Sequence, residues 1–334
     1  MRAAILAVDG GNSKTDVALV AADGSLLAAV RGPTTSHQAV GLEEGLRRLI
    51  ELVETAARTA GLDPTTRPIA SIGVHALAGA DYAPDVRMLE RGLRRTGLTE
   101  RDVVVNDCIG ALWAGATDGY GIALVCGAGI NAAAVAPDGR SARFDGIGEL
   151  SGDWGGGNAV ATAGLGAAVR ARDGRGPRTE LERTIPAHFG LRRPSALTRA
   201  MYDRRISEGR LGELSPVVFA TARSGDPVAR AIIDRLADEL ATMAIALARR
   251  LSITRLPDDV VLAGGVFKTD DELFFQRLDA AIRAQLPAAN LIRLDVPPVA
   301  GAAREGVKLL AQGDPASVAL ARERSRSELR EWRP

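Results

Sequence analysis

Two glycine-rich turns carry the residues of this chain that are best suited to chemistry. The first turn lies in residues 8–24, VDGGNSKTDVALVAADG, and the second in residues 125–139, VCGAGINAAAVAPDG. Each stretch reads as an apolar strand, a glycine-rich turn with small polar residues, a second apolar strand and an Asp-Gly turn. Because glycine lets backbone N–H groups come close to phosphate oxygens, the repetition predicts two similar domains that grip one polyphosphate from both sides.

The first turn suits a triphosphate with a metal ion. Asp9 ends the apolar strand, and its carboxylate is expected to hold Mg²⁺ through water, because Mg²⁺ keeps much of its hydration. Backbone N–H groups and polar side chains of the turn are expected to meet phosphate oxygens. The predicted phosphate contacts are Gly11, Asn12, Ser13 and Lys14. A plain β-hairpin is the alternative, and the absence of a GxxxxGK[ST] string excludes a P-loop.

The second turn contains Gly127, Ala128 and Gly129, followed by Asn131. A lone GxG string is a weak signal, and a hairpin explains it equally well. Its pairing with the first turn in a repeated plan favours a second phosphate contact.

Asn106 and Asp107 follow the apolar run VVV. A carboxylate at the carboxyl end of a buried strand faces the crevice where α/β sheets bind ligands. Asp107 therefore suits the role of general base, or of orienter, for an attacking hydroxyl, an effect of ~10²–10⁴ in rate. The alternative is an N-cap for a helix over 109–116.

A glycine-rich loop spans residues 146–157, GIGELSGDWGGG. Its glycines allow close approach to a ligand, and Ser151 and Asp153 are polar groups suited to reading sugar hydroxyls. The apolar side chains of Leu150 and Trp154 favour burial and argue against a flexible linker.

Gly264 and Gly265 follow the strand VVLA, and they would let an adenine or ribose lie over the backbone; helix–strand packing is the alternative. Among the histidines, His75 lies in an apolar strand and is predicted to belong to the core. His37 follows the third strand and is expected to line the substrate crevice.

The elements that must position these residues follow a repeated plan. Residues 3–31 read as three strands joined by tight turns, and helix and strand patterns then alternate to residue 108, giving β-β-β-α-β-α-β. This order matches a mixed sheet of the ribonuclease-H-like kind. The plan restarts after a predicted helix at 111–119. Residues 172–197 are predicted to be the least regular part, and the tail after Asp314 to be frayed or an exposed helix.

Composition limits the function classes. The chain has 334 residues with 46% hydrophobic and 25% charged residues, typical of a globular protein of two domains. A net charge of +1 gives no reason to expect nucleic acid or a membrane surface as partner. Two cysteines without CxxC spacing predict neither a disulfide framework nor a metal cluster, and the apolar run at the N-terminus is too short for a signal peptide. We therefore expect a cytoplasmic protein.

Five motifs together resemble the sugar kinase/actin/heat-shock ATPase superfamily, and more narrowly the N-acetylglucosamine kinase branch of the BadF/BadG/BcrA/BcrD ATPase family. DGGNSKTD resembles the first phosphate motif, VVNDCIGAL the connecting motif, CGAGINA the second phosphate motif, GELSGDWGGG the sugar loop and VVLAGGVFK the adenosine motif. The resemblance implies two ribonuclease-H-like (actin-like ATPase) domains with a central cleft. The expected domains are residues 1–110, residues 111–300, and a C-terminal helical segment, residues 301–334, that packs back toward the first domain.

The resemblance also implies an activity and its residues. It implies transfer of the γ-phosphoryl of ATP, with Mg²⁺, to the 6-hydroxyl of N-acetylglucosamine by a homodimer. Asp107 matches the catalytic aspartate, and Asp9 remains the expected Mg²⁺ residue. The implied ATP and phosphate contacts in the second half are Gly127, Ala128, Gly129, Gly264, Gly265 and Phe267. The implied sugar contacts are Ser36, His37, Asn106, Asp107, Gly129, Asn131, Gly148, Ser151 and Asp153.

The sequence departs from the family pattern at three positions. Ser36 stands where the family usually has Asn, Ala128 where Thr is common, and Trp154 where Glu is frequent. These departures bear on the identity of the sugar. Glucosamine, N-acetylmuramic acid and glucose are the alternative substrates, and a non-catalytic sugar sensor and a dehydratase-activating ATPase are the alternatives from other classes.

Overall fold

The computed structural model describes residues 2–255, 259–311 and 315–333. The strands in these residues are β1 (Ala3–Gly10), β2 (Lys14–Val20), β3 (Leu26–Pro33), β4 (Ala70–Leu77), β5 (Thr99–Asn106), β6 (Gly121–Cys126), β7 (Ile130–Val135), β8 (Ser141–Arg143), β9 (Asp259–Ala263) and β10 (Asn290–Arg293). The helices are α1 (His37–Val40), α2 (Leu42–Thr59), α3 (Ala83–Thr96), α4 (Asp107–Gly115), α5 (Gly156–Arg172), α6 (Leu181–His188), α7 (Pro194–Tyr202), α8 (Ser215–Arg223), α9 (Pro227–Leu251), α10 (Glu272–Arg283), α11 (Val299–Leu310) and α12 (Pro315–Glu331).

The first sheet has the strand order β3-β2-β1-β4-β5. The first three strands pair antiparallel as a meander, whereas β4 pairs parallel with both β1 and β5. Parallel pairing needs crossover segments, and α2 and α3 supply them. The carboxyl ends of β1, β4 and β5 therefore lie at one edge of the sheet, the edge that Asp9 and Asn106 occupy.

The second sheet repeats this plan. Its order is β10-β9-β6-β7-β8. As in the first sheet, the first three strands of the unit, β6, β7 and β8, lie side by side, and the next two, β9 and β10, lie on the other side of β6. The strand order confirms the prediction of two ribonuclease-H-like α/β domains.

The chain forms two compact units. The first comprises Met1–Ala123, Pro137–Gly139 and Ile292–Pro334, and the second comprises Leu124–Ala136 and Arg140–Leu291, each over its described residues. The first unit thus runs beyond residue 110 and resumes before residue 300. The domain boundaries at residues 110 and 300 stay predictions. In the first unit, α4 packs on β4 and α11 packs on β1.

Alternating side chains of the first sheet face two separate apolar clusters. Leu6 and Val8 of β1 pack toward α2 and α3, whereas Ile5 and Ala7 pack toward α11 and α12. This alternation is the two-residue period of a strand, and burial on both faces explains why the strands are almost uniformly apolar.

The structure differs from the sequence predictions in two segments. Residues 172–197, predicted to be irregular, contain α6 and the start of α7. Both are short helices that bury few apolar side chains. The tail is helical as predicted, but α12 buries Ala321, Ser325 and Leu329 on one face and is not simply exposed. Residues 312–314 and 334 of the predicted C-terminal segment lie outside the described residues. Among the helices described, none has the length and apolar character required to cross a bilayer.

Candidate functional site

The first glycine-rich turn is a tight connection between β1 and β2. The Gly11 N–H donates to the Lys14 carbonyl at 2.9 Å, and the Thr34 hydroxyl donates to the Gly11 carbonyl at 2.8 Å. Asn12, Ser13 and Lys14 are exposed. The turn therefore presents the polar groups predicted for phosphate to solvent, while its backbone is held from within the unit.

Asp9 lies in a crowded group of carboxylates. Burial, together with the negative charges of Asp107 and Asp16, raises the pKa of Asp9 to about 8, while Lys14 and Arg31 act in the opposite direction. Carboxylates held this close favour a divalent cation, which removes their repulsion, and oxygen is the ligand that Mg²⁺ prefers. Within the described residues no group of three or more His, Cys, Asp or Glu side chains is arranged to hold a metal ion. Asp9 offers Mg²⁺ one carboxylate, with water completing the coordination, so its role as the Mg²⁺ residue stays a prediction.

Asp107 begins α4, directly after β5. The Asn106 side chain is the N-cap: its Oδ1 accepts from the Cys108 N–H at 3.1 Å, and its Nδ2 donates to Asp81 at 3.0 Å. Asp81 in turn accepts from Gln38 at 3.0 Å. The alternative prediction, Asp107 as the cap of a helix over 109–116, is therefore wrong: the cap is Asn106, and Asp107 is the first residue of α4.

Ser36 and His37 lie at the start of α1, beside Gly79. The Ser36 hydroxyl is buried, with 4% of the residue exposed, and neither its Oγ nor the His37 Nδ1 has a hydrogen-bond partner among the described residues. Gly79 adopts a φ of +85°, and a Cβ there would lie 2.6 Å from the His37 ring. Buried polar atoms without partners are expensive, so this pair is suited to bind a polar ligand.

The second glycine-rich turn is pinned by the start of α5. The Gly157 N–H donates to the Gly127 carbonyl at 2.7 Å, and the Asn158 N–H donates to the Ala128 carbonyl at 2.9 Å. Gly156, with a φ of +77°, packs so closely that a Cβ would lie 2.5 Å from the Gly129 carbonyl. The first N–H groups of α5 therefore fix the shape of this turn.

A cavity of about 520 Å³ opens beside the second turn, entirely within the second unit. The segment from Gly265 to Asp270 forms one wall and the start of α8 another. Its lining residues are Gly127, Ala128, Gly157, Asn158, Gly212, Ser215, Pro216, Phe219, Arg223, Gly265, Val266, Lys268, Thr269 and Asp270. This volume and mixed lining are typical of a small-molecule site.

Three of the residues predicted for ATP in the second half line that cavity, namely Gly127, Ala128 and Gly265. Gly264 has a φ of +108°, and a Cβ there would lie 2.4 Å from the Cys126 carbonyl, so this glycine serves the packing of β9 against β6. Phe267 is buried, and its ring lies 6.2 Å from that of Phe274. The other three predicted contacts, Gly129, Gly264 and Phe267, are not among the lining residues.

The predicted sugar loop of the second unit is ordered by its own polar groups. The Ser151 hydroxyl donates to Asp153 and accepts from the Ile147 N–H, and the Asp153 N–H donates to the Gly148 carbonyl at 3.1 Å. Asn131 lies against this loop, because a Cβ at Gly146 would meet its side chain at 2.3 Å.

The prediction that both apolar side chains of the loop are buried is wrong for one of them. Leu150 is 90% exposed at the tip of the loop. Trp154 is partly buried, and the Arg235 guanidinium stacks on its ring at 3.9 Å.

The structure therefore gathers the predicted residues into groups within each unit. In the first unit, Asp9 and Asp107 lie at the same end of the sheet, and Lys14 lies near Asp16, the cross-strand neighbour of Asp9. In the second unit, Asn131 lies against the loop that contains Gly148 and Asp153. Sequence reasoning missed Gln38 and Asp81, and it missed Asn158, Gly212, Ser215, Phe219 and Thr269 in the cavity.

Comparison with known proteins agrees with these features. The model of the BadF/BadG/BcrA/BcrD ATPase family matches residues 6–306. An N-acetylmuramic acid/N-acetylglucosamine kinase of Clostridium acetobutylicum is 30% identical over 271 residues, covering 81% of this chain and 87% of the relative. An N-acetyl-D-glucosamine kinase of Dictyostelium discoideum is 25% identical over 310 residues, covering 89% and 96%.

Solved structures share the fold. A Chromobacterium violaceum protein provisionally named an N-acetylglucosamine kinase superposes with a TM-score of 0.69 at 24% identity, covering 91% of this chain and 98% of its own. A ROK family glucokinase of Streptomyces griseus, solved with glucose and AMPPNP, gives a TM-score of 0.55 at 20% identity, covering 92% and 99%.

Proposed function

The chain belongs to the BadF/BadG/BcrA/BcrD ATPase family, and from that membership we propose that it is an ATP-dependent kinase of amino sugars that phosphorylates the 6-hydroxyl of N-acetylglucosamine. The observation that carries the proposal is the pair of carboxylates Asp9 and Asp107, which β1 and β5 bring to the same end of the first sheet. Asp9 suits a cation bound to phosphate, and Asp107 suits the acceptance of a hydroxyl proton. The names of the two relatives support the amino sugar as substrate class.

Asp107 is the proposed general base. Its carboxylate accepts the proton of the 6-hydroxyl as that oxygen bonds to the γ-phosphorus of ATP, the bond to the β-phosphate oxygen breaks, and ADP leaves. Asn106 caps α4 and so fixes where Asp107 stands. Mg²⁺, held at Asp9 through water, would neutralise charge on the phosphate oxygens when bound.

The remaining contacts follow from each unit separately. In the first unit, Ser13 and Lys14 are proposed to bind phosphate, and the buried Ser36 and His37 atoms without partners to bind sugar hydroxyls. In the second unit, the cavity at Gly127 and Gly265 is proposed to hold the adenosine end of ATP. Gly129, Asn131, Gly148, Ser151 and Asp153 are proposed sugar contacts there.

The proposal is tested with the purified protein, ATP and Mg²⁺ and a panel of N-acetylglucosamine, N-acetylmuramic acid, glucosamine and glucose, with ADP release as readout. N-acetylglucosamine is expected to give the highest kcat/KM, and an analogue without the 6-hydroxyl none. Asp107→Asn is expected to lower kcat about 10²–10⁴-fold while ATP binding persists. Near-normal turnover by this variant would remove Asp107 from the mechanism.

Other outcomes favour other functions. A preference for N-acetylmuramic acid would follow the Clostridium relative, and sugar binding without turnover would favour a sensor. A dehydratase-activating ATPase needs cysteine ligands for a cluster. Cys108 and Cys126 are buried, and burial raises the pKa of the Cys126 thiol to about 12, which opposes the thiolate that a cluster requires.

The proposal extends to assembly and location. A homodimer is proposed from the family resemblance, and light scattering after size-exclusion chromatography tests it. A cytoplasmic location is proposed because ATP is the co-substrate and the two thiols suit a reducing compartment.

A further inference from the structure

The C-terminal helix α12 lies beyond residues 6–306, the part that the family model matches. It packs on the β2–β3 hairpin of the first unit. The Glu328 carboxylate accepts from the Leu26 N–H at 2.6 Å, and Arg324 pairs with Asp23 at 2.6 Å. Leu329 is completely buried. The helix is therefore a fixed part of this unit.

Trp332 follows α12, and its ring lies on the face of the first sheet that α11 and α12 cover. The indole packs against the apolar cluster formed by β1, β2 and α11. The guanidinium of Arg31, on β3, lies 5.5 Å from the centre of the ring, within range of a cation–π interaction. Trp332 thereby limits the positions open to an arginine side chain that is otherwise one-third exposed.

Arg31 holds Asp16 by two hydrogen bonds, of 2.5 Å from Nε and 2.7 Å from Nη2. Asp16 is completely buried and pairs across the strands with Asp9. Lys14 Nζ lies 3.7 Å from the same Asp16 carboxylate. A buried carboxylate needs a counter-charge, and Arg31 supplies it through a bidentate pair. With Arg31 in place Lys14 remains half-exposed; without it, Asp16 would draw Lys14 inward as the nearest remaining cation.

We infer that Trp332 is a positioning residue for the first phosphate turn: through Arg31 and Asp16 it keeps Lys14 available to the phosphates of ATP. The inference rests on the proposed kinase function for its ligand, and on the observed contacts for its mechanism. It assigns a role in the site to a segment that the family model does not include.

The first test compares Trp332→Ala with Trp332→Phe, which keeps an aromatic face for Arg31. Loss of the ring is expected to raise the KM for ATP about two- to five-fold, the factor that one exposed cation–π contact supplies, with kcat and the KM for sugar unchanged. Trp332→Phe is expected to keep the KM for ATP close to the wild-type value, because its ring still faces Arg31. Tyr202→Ala is the matched control, because it removes an exposed ring from Arg199, 5.8 Å away, in the second unit.

The second test needs no activity. Hydrogen–deuterium exchange of the free protein is followed at the Gly11 amide, which donates to the Lys14 carbonyl. Trp332→Ala is expected to speed exchange at this turn, and Tyr202→Ala is not. If wild-type protein phosphorylates no sugar, the proposed function fails, and the exchange result still decides the inference. Unchanged exchange at the turn, with or without a lower melting temperature, would overturn it.

Discussion

Gly156→Ala tests the claim that the second glycine-rich turn takes its shape from the first residue of α5. Gly156 has a φ of +77°, where an L residue costs about 1–2 kcal/mol. Its Cβ would also lie 2.5 Å from the Gly129 carbonyl and 2.6 Å from that of Ala128. These are backbone atoms that cannot rotate away, and overpacking of this kind costs about 1–3 kcal/mol.

The sum is a loss of about 2–5 kcal/mol in the free energy of unfolding of the second unit. For a domain of this size each kcal/mol lowers the melting temperature by roughly 2–4 °C, so about 3 kcal/mol lowers it by roughly 6–12 °C. Because any relief moves Ala128, which lines the cavity, the affinity for ATP is expected to fall with the stability.

The assay pairs thermal unfolding with calorimetric titration of ATP, and the same helix offers a matched control. Gly166 also lies in α5, but apart from its chain neighbours and the adjacent helix backbone, no described atom lies within 4 Å of where its Cβ would stand. Gly166→Ala is therefore expected to raise stability by about 0.5–1 kcal/mol and to leave ATP affinity unchanged. Equal melting temperatures and ATP affinities in Gly156→Ala and wild type would refute the assignment.

Three further predictions concern other parts of the molecule. Burial alone would raise the pKa of Asp226, but hydrogen bonds from the Ala229 and Glu180 amides and the Thr179 hydroxyl lower it below its usual value. The stabilising effect of Asp226 is therefore complete above about pH 4 and is lost as the pH falls below. Asp226→Asn is expected to lower the melting temperature at pH 7 and to lose this deficit in acid, and a deficit that persists there would contradict the sign. Ser36→Ala removes a buried hydroxyl without a partner, so it is expected to leave stability unchanged or raise it by about 1 kcal/mol while raising the KM for sugar about tenfold; lower stability with an unchanged KM would contradict this. Arg304→Met removes the donors to four carbonyls at the end of α4, and urea denaturation is expected to give a loss of about 2–4 kcal/mol, with no loss counting against the capping role.

Much of the fold was readable from local patterns. The apolar strands and the Asp-Gly turns are each encoded within a few residues, and the structure confirms them. The repeated plan predicted the repeated strand order, because the same local signals in the same order along the chain build the same sheet. Short helices such as α6 escaped prediction, because packing with neighbours distant in sequence stabilises them more than their own propensity does.

The candidate site likewise contains residues that local sequence patterns predict and residues that only the fold brings together. Glycine turns and the polar residues next to strand ends, such as Asp9 and Asp107, could be proposed from the sequence because phosphate chemistry needs those residue types at those places. Their roles stay predictions. The cavity lining from Gly212 to Phe219 and the bridge from Gln38 through Asp81 to Asn106 were not found, since each joins segments far apart in the chain. Exposure of Leu150 was likewise invisible, because hydrophobicity alone does not say which apolar side chain finds a partner.

By itself the sequence determined which atoms are available for chemistry and in which local conformations, because strand period, turn type and capping depend on near neighbours. Only the tertiary structure decided which charges meet. Asp16 became a buried carboxylate held by Arg31, and Arg31 became the partner of Trp332, because the hairpin and α12 were folded onto one sheet. Electrostatic and packing energies depend on distance in space, and for residues three hundred positions apart that distance exists only in the folded chain.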